Sequence, residues 1–293
     1  MKFSLPGFHE FEKLNMWIID KYKNDRMVFF DDVIIDNIYG SVPNVLWNGG
    51  RNGPIERMSI ESIRNLFEKY KKRNICLRVT FTNCMLEQTH LSDTYANDIL
   101  NLINEMNFEI TIASDLLEQY IRNKYPNIPI ISSTTKCILD IEELNNEIKK
   151  DYKVVVMDFR KNADDVFLSQ ILNPEKIELL LNEDCYCTCT QRTRHYRDIS
   201  KNIILEDKMP DTEIYCMGKY KNIYDAMQQK ETIRNKDLYV KYQKMGFEHA
   251  KIRGRRSDFY DVLESYMYYL IKDEFRDQIR LEILQSGLKE NYQ

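Results

Sequence analysis

The chain has 293 residues, 43% of them hydrophobic and 30% charged. A chain of that length and balance can bury about three quarters of the surface its unfolded form exposes, which excludes global disorder. Lys and Arg number 42 against 46 Asp and Glu, giving a net charge of −4. No chain-wide positive field exists to attract a phosphate backbone, so a dedicated nucleic-acid binder is disfavoured, although a local basic patch for nucleic acid stays open. No stretch approaches the roughly 18 apolar residues of a membrane span, and the first residues lack the apolar core of a signal peptide, so the expectation is a cytoplasmic protein without a membrane partner.

Short apolar runs alternate with longer amphipathic stretches. In chain order, an amphipathic helix over about residues 8–23, within an N-terminal capping segment 1–25, precedes eight expected strands. These are 27–30 continuing to 33–35, 45–47, 75–81, 108–112, 128–131, 153–157, 177–181 and 247–252. Several are continuous β-branched runs, as parallel strands buried on both faces require. Between them, 59–67, 98–103, 114–121 and 141–148 carry apolar residues three and four apart; Ile60, Ile63 and Phe67 share a face, and Ser59 and Ser62 offer N-caps. Strand-then-helix units joined by right-handed crossovers imply an α/β fold, a (β/α)8 TIM-like barrel. Residues 185–244 read as an insertion between the seventh and eighth strands. One long helix is expected over 258–287, with Tyr260, Leu263, Met267 and Leu270 as its buried stripe. No linker divides the chain, so it reads as one domain.

In such a barrel the active face is formed by residues just after each strand. Those positions are polar here: Asp36 and Asn37, Asn48 to Arg51, Thr82 to Cys84, Ser132 to Cys137, Asp158 to Arg160, Asn182 to Cys185 and Arg253 to Arg255. The seven cysteines follow the same map, three of them within five residues at Cys185, Cys187 and Cys189. Cys137 follows the fifth expected strand, and Cys216 lies in the insertion. Cys137, Cys185, Cys189 and Cys216 can therefore meet at one end of the barrel, with Cys187 as an alternate whose side chain points away from its neighbours in a tight loop. Four thiolates suit a [4Fe–4S] cluster or a tetrahedral zinc ion. Lys136, Arg192 and Arg194 nearby would lower the thiol pKa and offset cluster charge. Cys76, inside a strand, reads as a packing residue, and so does Cys84, although it follows a strand and could approach the site.

The segment Met245-Gly246-Phe247-Glu248-His249-Ala250-Lys251-Ile252-Arg253-Gly254-Arg255 resembles the G-x-x-x-x-K-I-E-G-R region of the peptidase U32 family. The run Ile177 to Cys185 is similar to that family's strand leading into its first cysteine. The motifs cover roughly the C-terminal 120 residues. The resemblance implies an iron–sulfur TIM-like barrel, with Cys185, Cys189 and Cys216 at cluster-type positions and Lys251 with Arg255 in the basic motif. It implies redox or hydroxylation-type chemistry, of the sort that supports modification of RNA bases or quinone precursors, rather than proteolysis. Arg253 stands where the family usually has Glu, and Cys-Tyr-Cys-Thr-Cys replaces its spaced glycines and cysteines.

Lys251 and Arg255 at the end of the last strand, with Arg51 and Asn83, form the expected binding set for an anionic small molecule. Lys251, Arg255, Asp158 as a base and His195 as an acid/base or a hydrogen-bond partner of a cluster sulfur are the catalytic candidates. The chain carries no G-x-S-x-G elbow, H-E-x-x-H, Walker loop or G-x-G-x-x-G, and no Ser-His-Asp order. The C-x-x-x-C-x-x-C spacing of radical SAM enzymes is absent too. The competing readings are a zinc-bearing barrel that binds a ligand or protein partner, and a metal-free hydrolase or lyase barrel with incidental cysteines.

Overall fold

The computed structural model describes residues 1–49, 56–205, 219–254 and 258–287. Eight parallel strands close on themselves in sequence order: β1 (Lys2–Pro6), β2 (Ile34–Gly40), β3 (Cys76–Phe81), β4 (Glu109–Ile112), β5 (Ile130–Ser132), β6 (Val154–Val156), β7 (Ile177–Leu180) and β8 (His249–Lys251). Helices α1 (Glu12–Asn24), α2 (Ile60–Lys71), α3 (Thr94–Met106), α4 (Asp115–Lys124), α5 (Ile141–Lys149), α6 (Asp165–Ser169) and α7 (Arg192–Ile204) follow the first seven strands, and Phe259–Leu270 follows the eighth. This is the (β/α)8 barrel the alternation implied.

The helix starts obey local chemistry. Ser59, Asp93, Ser114 and Asp140 each accept a first-turn backbone N–H at the N-termini of α2, α3, α4 and α5. Ile63, Leu66, Phe67 and Tyr70 form the buried stripe of α2, at the spacing of one helical face. Outward-facing strand residues such as Phe3, Leu5, Leu77 and Val79 pack beneath the helices in one continuous core.

Two strands differ from the sequence expectation. The first strand is Lys2–Pro6, so residues 1–25 are not a capping helix: they hold β1 and the first wall helix. The run 27–30 is instead a turn of 3-10 helix (Arg26–Val28) followed by Phe29, whose backbone makes a single antiparallel bridge to Ile271. The run 45–47 is a buried loop. Trp47 donates its indole N–H to the His90 carbonyl at 2.8 Å and packs edge-on against Phe81 and Tyr120. Gly49 belongs to this loop because a Cβ there would fall 1.9 Å from the Thr82 carbonyl oxygen. Asp36 and Asn37, expected after a strand, lie within β2.

The differences at β1 and β2 share a cause, which is that the barrel interior is charged. Strand alternation and register put Ser4, Asn37, Arg78, Glu109, Glu178, His249 and Lys251 on the inner face. Arg78 is fully buried and donates to Glu178 at 2.7 Å across the barrel and to neighbouring Glu109 at 3.2 Å. Ser4 donates to the same Glu178 oxygen at 2.5 Å, and Asn37 donates to Ser4 at 2.8 Å. Lys153 pairs with Glu109 from the rim. On β5 and β6 the inner face is apolar, where Ile131, Val154 and Val156 form a small cluster of their own. β1 and β2 therefore alternate polar and apolar residues rather than running continuously apolar.

The expected single helix over 258–287 is two, Phe259–Leu270 and Arg276–Gln285. Between them the backbone is drawn into pairing, with Phe30 donating to the Leu270 carbonyl and Lys272 to that of Val28. Leu263, Met267 and Leu270 are buried as expected, but Tyr260 is 44% exposed and Phe259 takes its place.

Burial would push the Glu178 carboxyl up, but Arg78 and Lys251 outweigh it and hold it at about 2, against an ordinary 4.5. Burial pushes the His249 imidazole below its ordinary 6.5, since its charged form is poorly solvated in the lumen. The unfolded chain therefore binds protons before the folded one at both sites. Stability should be full above about pH 6.5, decline below it as His249 is protonated on unfolding, and fall again from pH 4.5 towards 2. Denaturant titrations across that range check this, and Glu178→Gln should make the lower step smaller. Arg78→Met, which takes the buried cation from between two buried carboxylates, should cost about 3–5 kcal/mol in the same measurement at neutral pH.

Candidate functional site

The loops after β5, β6 and β7 meet at the C-terminal end of the barrel. After β6, Asp158 accepts the Arg160 backbone N–H at 3.0 Å and holds the Arg160 guanidinium through both carboxylate oxygens at 2.8 Å. Arg160 then donates at 3.1 Å to the carbonyl of Cys189, tying this loop to the cysteine segment. After β7, Glu183 accepts from Arg192 at 3.0 Å, and Arg192 Nε lies 3.7 Å from Asp158. Arg192, 3% exposed, is the first residue of α7, and its guanidinium stacks over Phe159 at 4.9 Å and Tyr196 at 5.2 Å.

The cysteine loop is held by its backbone. Gln229 donates to the carbonyls of Glu183 and Cys185 and accepts the Cys187 N–H at 3.1 Å. Cys185 pairs in an antiparallel bridge with Lys219, and Tyr220 donates to the Asp184 carbonyl at 2.7 Å. Gln229 carried no motif, and its role arises only because residues far apart in sequence are folded together.

Cys137 and Cys185 share Arg192 as an electrostatic neighbour, and Cys137 also interacts with Arg160. Three of the four expected ligands, Cys137, Cys185 and Cys189, are thus brought to one end around Arg160 and Arg192. Cys216 lies outside the described residues, as do Arg51 and Arg255. Cys137 occupies a left-handed conformation (φ 55°) that turns the chain sharply after β5. Its thiol pKa is raised rather than lowered: burial and Asp158 outweigh Arg192 and Arg160. Cys187 is turned to Glu231, and burial together with that hydrogen bond raises its thiol pKa. Cys76, half-buried at the start of β3 near Glu109, is pushed up to about 12 and is an inert thiol. Cys84 sits 3.4 Å from Ser200 Oγ.

Other expected residues are committed elsewhere. Lys136 pairs with Glu147 at 2.6 Å and Asp115 at 3.4 Å, away from the thiols. Lys251 points into the lumen rather than out of the mouth, 3.7 Å from Glu178 and over the Tyr39 ring at 3.2 Å. Asn83 is fully buried and spends its amide on the carbonyls of Leu46 and Ser200 and on the Met85 N–H. His195 lies on α7 beside Tyr196. Asp158 is buried and serves as the anchor of Arg160.

Among the described residues, one group of metal-type ligand atoms falls within 4.8 Å of one another: Glu183, Asp184 and Cys185. Arg192 neutralises Glu183, and Arg253 pairs with Asp184 at 3.2 Å and Asp261 at 2.6 Å, so these carboxylates are already balanced by fixed cations. Arg253 also accounts for its departure from Glu: it knots the end of β8 to the post-β7 loop and to Phe259–Leu270. The cavity of about 300 Å³ lined by Lys2, Ile34, Gln243 and Glu248 lies at the opposite, N-terminal end of the barrel.

No protein-family model matches the chain, and no curated protein sequence matches it. Among solved structures, the U32 peptidase Mk0906 superposes with a TM-score of 0.53 over 86% of this chain and 91% of its own, at 13% identity. The chain has the barrel fold of a U32 peptidase. A uronate isomerase from Bacillus halodurans C-125 aligns over 84% of this chain and 65% of its own at 10% identity, and its TM-score of 0.35 is too low to carry an argument. Among the described residues, no helix is long and apolar enough to cross a membrane.

Replacing Arg253 with Glu, the residue usual in the U32 motif, would set three carboxylates against one another at the end of β8. Arg253→Glu should cost at least about 3 kcal/mol in chemical denaturation. It should also expose the Asp184–Tyr220 contact to hydrogen exchange.

Proposed function

We propose that the chain is a U32-type iron–sulfur barrel protein, a redox or hydroxylation-type enzyme acting on an anionic small molecule or modified base. Cys137, Cys185, Cys189 and Cys216 hold a [4Fe–4S] cluster at the C-terminal mouth. The observation that carries this reading is the convergence of three thiols on Arg160 and Arg192, from two loops, after β5 and after β7, that are remote in sequence. The donor set fits the group: thiolates are its ligands, and a buried guanidinium beside them offsets the negative charge of a thiolate-bound cluster. Cys137, Cys185 and Cys189 do not all lie within 4.8 Å of one another. A cubane cluster spans such an opening more readily than a single zinc ion with bonds of about 2.3 Å.

When bound, the cluster would supply electron transfer or a polarising iron. The chain's own residues hold the loops in place: Asp158 fixes Arg160, Arg160 fixes the Cys189 carbonyl, and Gln229 fixes the carbonyls flanking Asp184. The substrate's negative group is assigned to Arg255 and Arg51. Lys251 itself is held in the lumen against Glu178 and Tyr39. None of the six described cysteines is joined in a disulfide, which suits a reducing, cytoplasmic setting.

Protein purified without oxygen, or reconstituted with iron and sulfide, should be brown and carry about four iron atoms per chain. Replacing Cys185 and Cys189 by Ser should remove the colour while leaving the far-ultraviolet circular dichroism of the barrel intact. A colourless, iron-free wild type overturns the proposal, and one zinc per chain without a visible band assigns the thiolates to zinc.

A further inference from the structure

Sequence spacing puts three cations near the cysteines, and the structure separates them. Lys136 is consumed by Glu147 and Asp115, and Arg194 is 61% exposed at its side chain and pairs with Asp198 along α7 at 3.6 Å. Arg192 alone of the three is buried. Its Nη2 donates to Glu183, but its Nε and Nη1 have no hydrogen-bond acceptor, Nε meeting Asp158 only at 3.7 Å. An unpaired buried donor costs about 1–3 kcal/mol, more when charged, so two of them on one guanidinium need an explanation. Stacking between Phe159 and Tyr196 holds the group in place without filling its N–H positions.

The surroundings favour an acceptor that is negative. Asp158 is already held by both arms of Arg160, so Arg192 faces one full carboxylate partner, Glu183, and shares the other. Arg192 also opens α7, a 13-residue helix whose N-cap, Gln191, contributes no side-chain hydrogen bond and whose first turn carries no acidic residue. The positive end of that helix dipole therefore adds to the guanidinium charge. Besides carboxylates and a tyrosine, the groups within its electrostatic reach that can carry negative charge include the thiols of Cys137 and Cys185.

We infer that Arg192 donates its uncommitted N–H groups to the thiolate-bound iron–sulfur centre and serves as its fixed counter-charge. This rests on the cluster reading above and adds a specific role to it. A cluster held by four thiolates is net negative and becomes more so when it takes up an electron. A buried cation with N–H groups aimed at sulfur stabilises the reduced form more than the oxidised form, and so raises the midpoint potential. Arg192 is then a tuning and positioning residue.

The test is a dithionite titration with mediator dyes, followed by electron paramagnetic resonance, on full-length protein reconstituted without oxygen. Wild type, Arg192→Gln, Arg192→Lys and Arg194→Gln are compared at equal iron content. Arg192→Gln should have a clearly lower midpoint potential and an altered reduced-state spectrum. Arg192→Lys, which keeps the charge but loses the planar fork, should fall between it and wild type and remains measurable if the Gln variant fails to fold. Arg194→Gln should match wild type. An iron-loaded Arg192 variant with an unchanged potential overturns the inference while leaving the cluster reading standing, as does an equal shift in Arg194→Gln. An iron-free wild type removes both.

Discussion

The ion pair between Arg78 on β3 and Glu178 on β7 spans the barrel, and the remaining inner face is organised around it. A barrel of this kind ordinarily fills its interior with branched apolar side chains. Here one side of the lumen is charged, and a buried cation is tolerable only if every neighbour contributes. Glu109, Ser4, Asn37 and Lys251 all do, directly or through Glu178. Ser4 on β1 and Lys251 on β8 sit side by side in the register, so the network also ties the first strand to the last where the sheet closes.

The same economy governs the mouth. Arginines there are shared among carboxylates rather than matched one to one: Arg160 and Arg192 around Asp158 and Glu183, Arg253 around Asp184 and Asp261. Each cation links loops from different strands, which turns a ring of separate post-strand segments into one connected surface. Cys137, Cys185 and Cys189 are carried on those loops. Their common environment follows from the arginine pairs, with the carbonyl of Cys189 itself serving as an acceptor for Arg160.

Much of the architecture was legible because it rests on local periodicity. The helices α2 to α5 follow from apolar residues three and four apart and from Ser and Asp caps, and six of the eight strands follow from short apolar runs. β1 and the length of β2 were not legible, because their inward residues answer to a charged lumen and so break the apolar run. The loop at residues 45–47 was misread for the opposite reason, since Trp47 is apolar in order to plug the end of β3. Within the site, the placement of Cys137, Cys185, Cys189 and Asp158 after strands was visible, whereas the inward turn of Lys251 was not. A residue at a strand end can face the mouth or the lumen, and only the register of its neighbours decides between them.

The sequence by itself determined that strands and helices alternate, that eight such units close a barrel, and that thiols gather at the strand ends, because each of these depends on residues near one another in the chain. Tertiary structure decided which cation serves which acid. Arg192 and Lys136 look equivalent along the chain, yet one is stacked and buried beside the cysteine loops while the other is spent on Glu147. Electrostatic partnership depends on distance and desolvation, and both are set by contacts between segments that the chain itself keeps far apart.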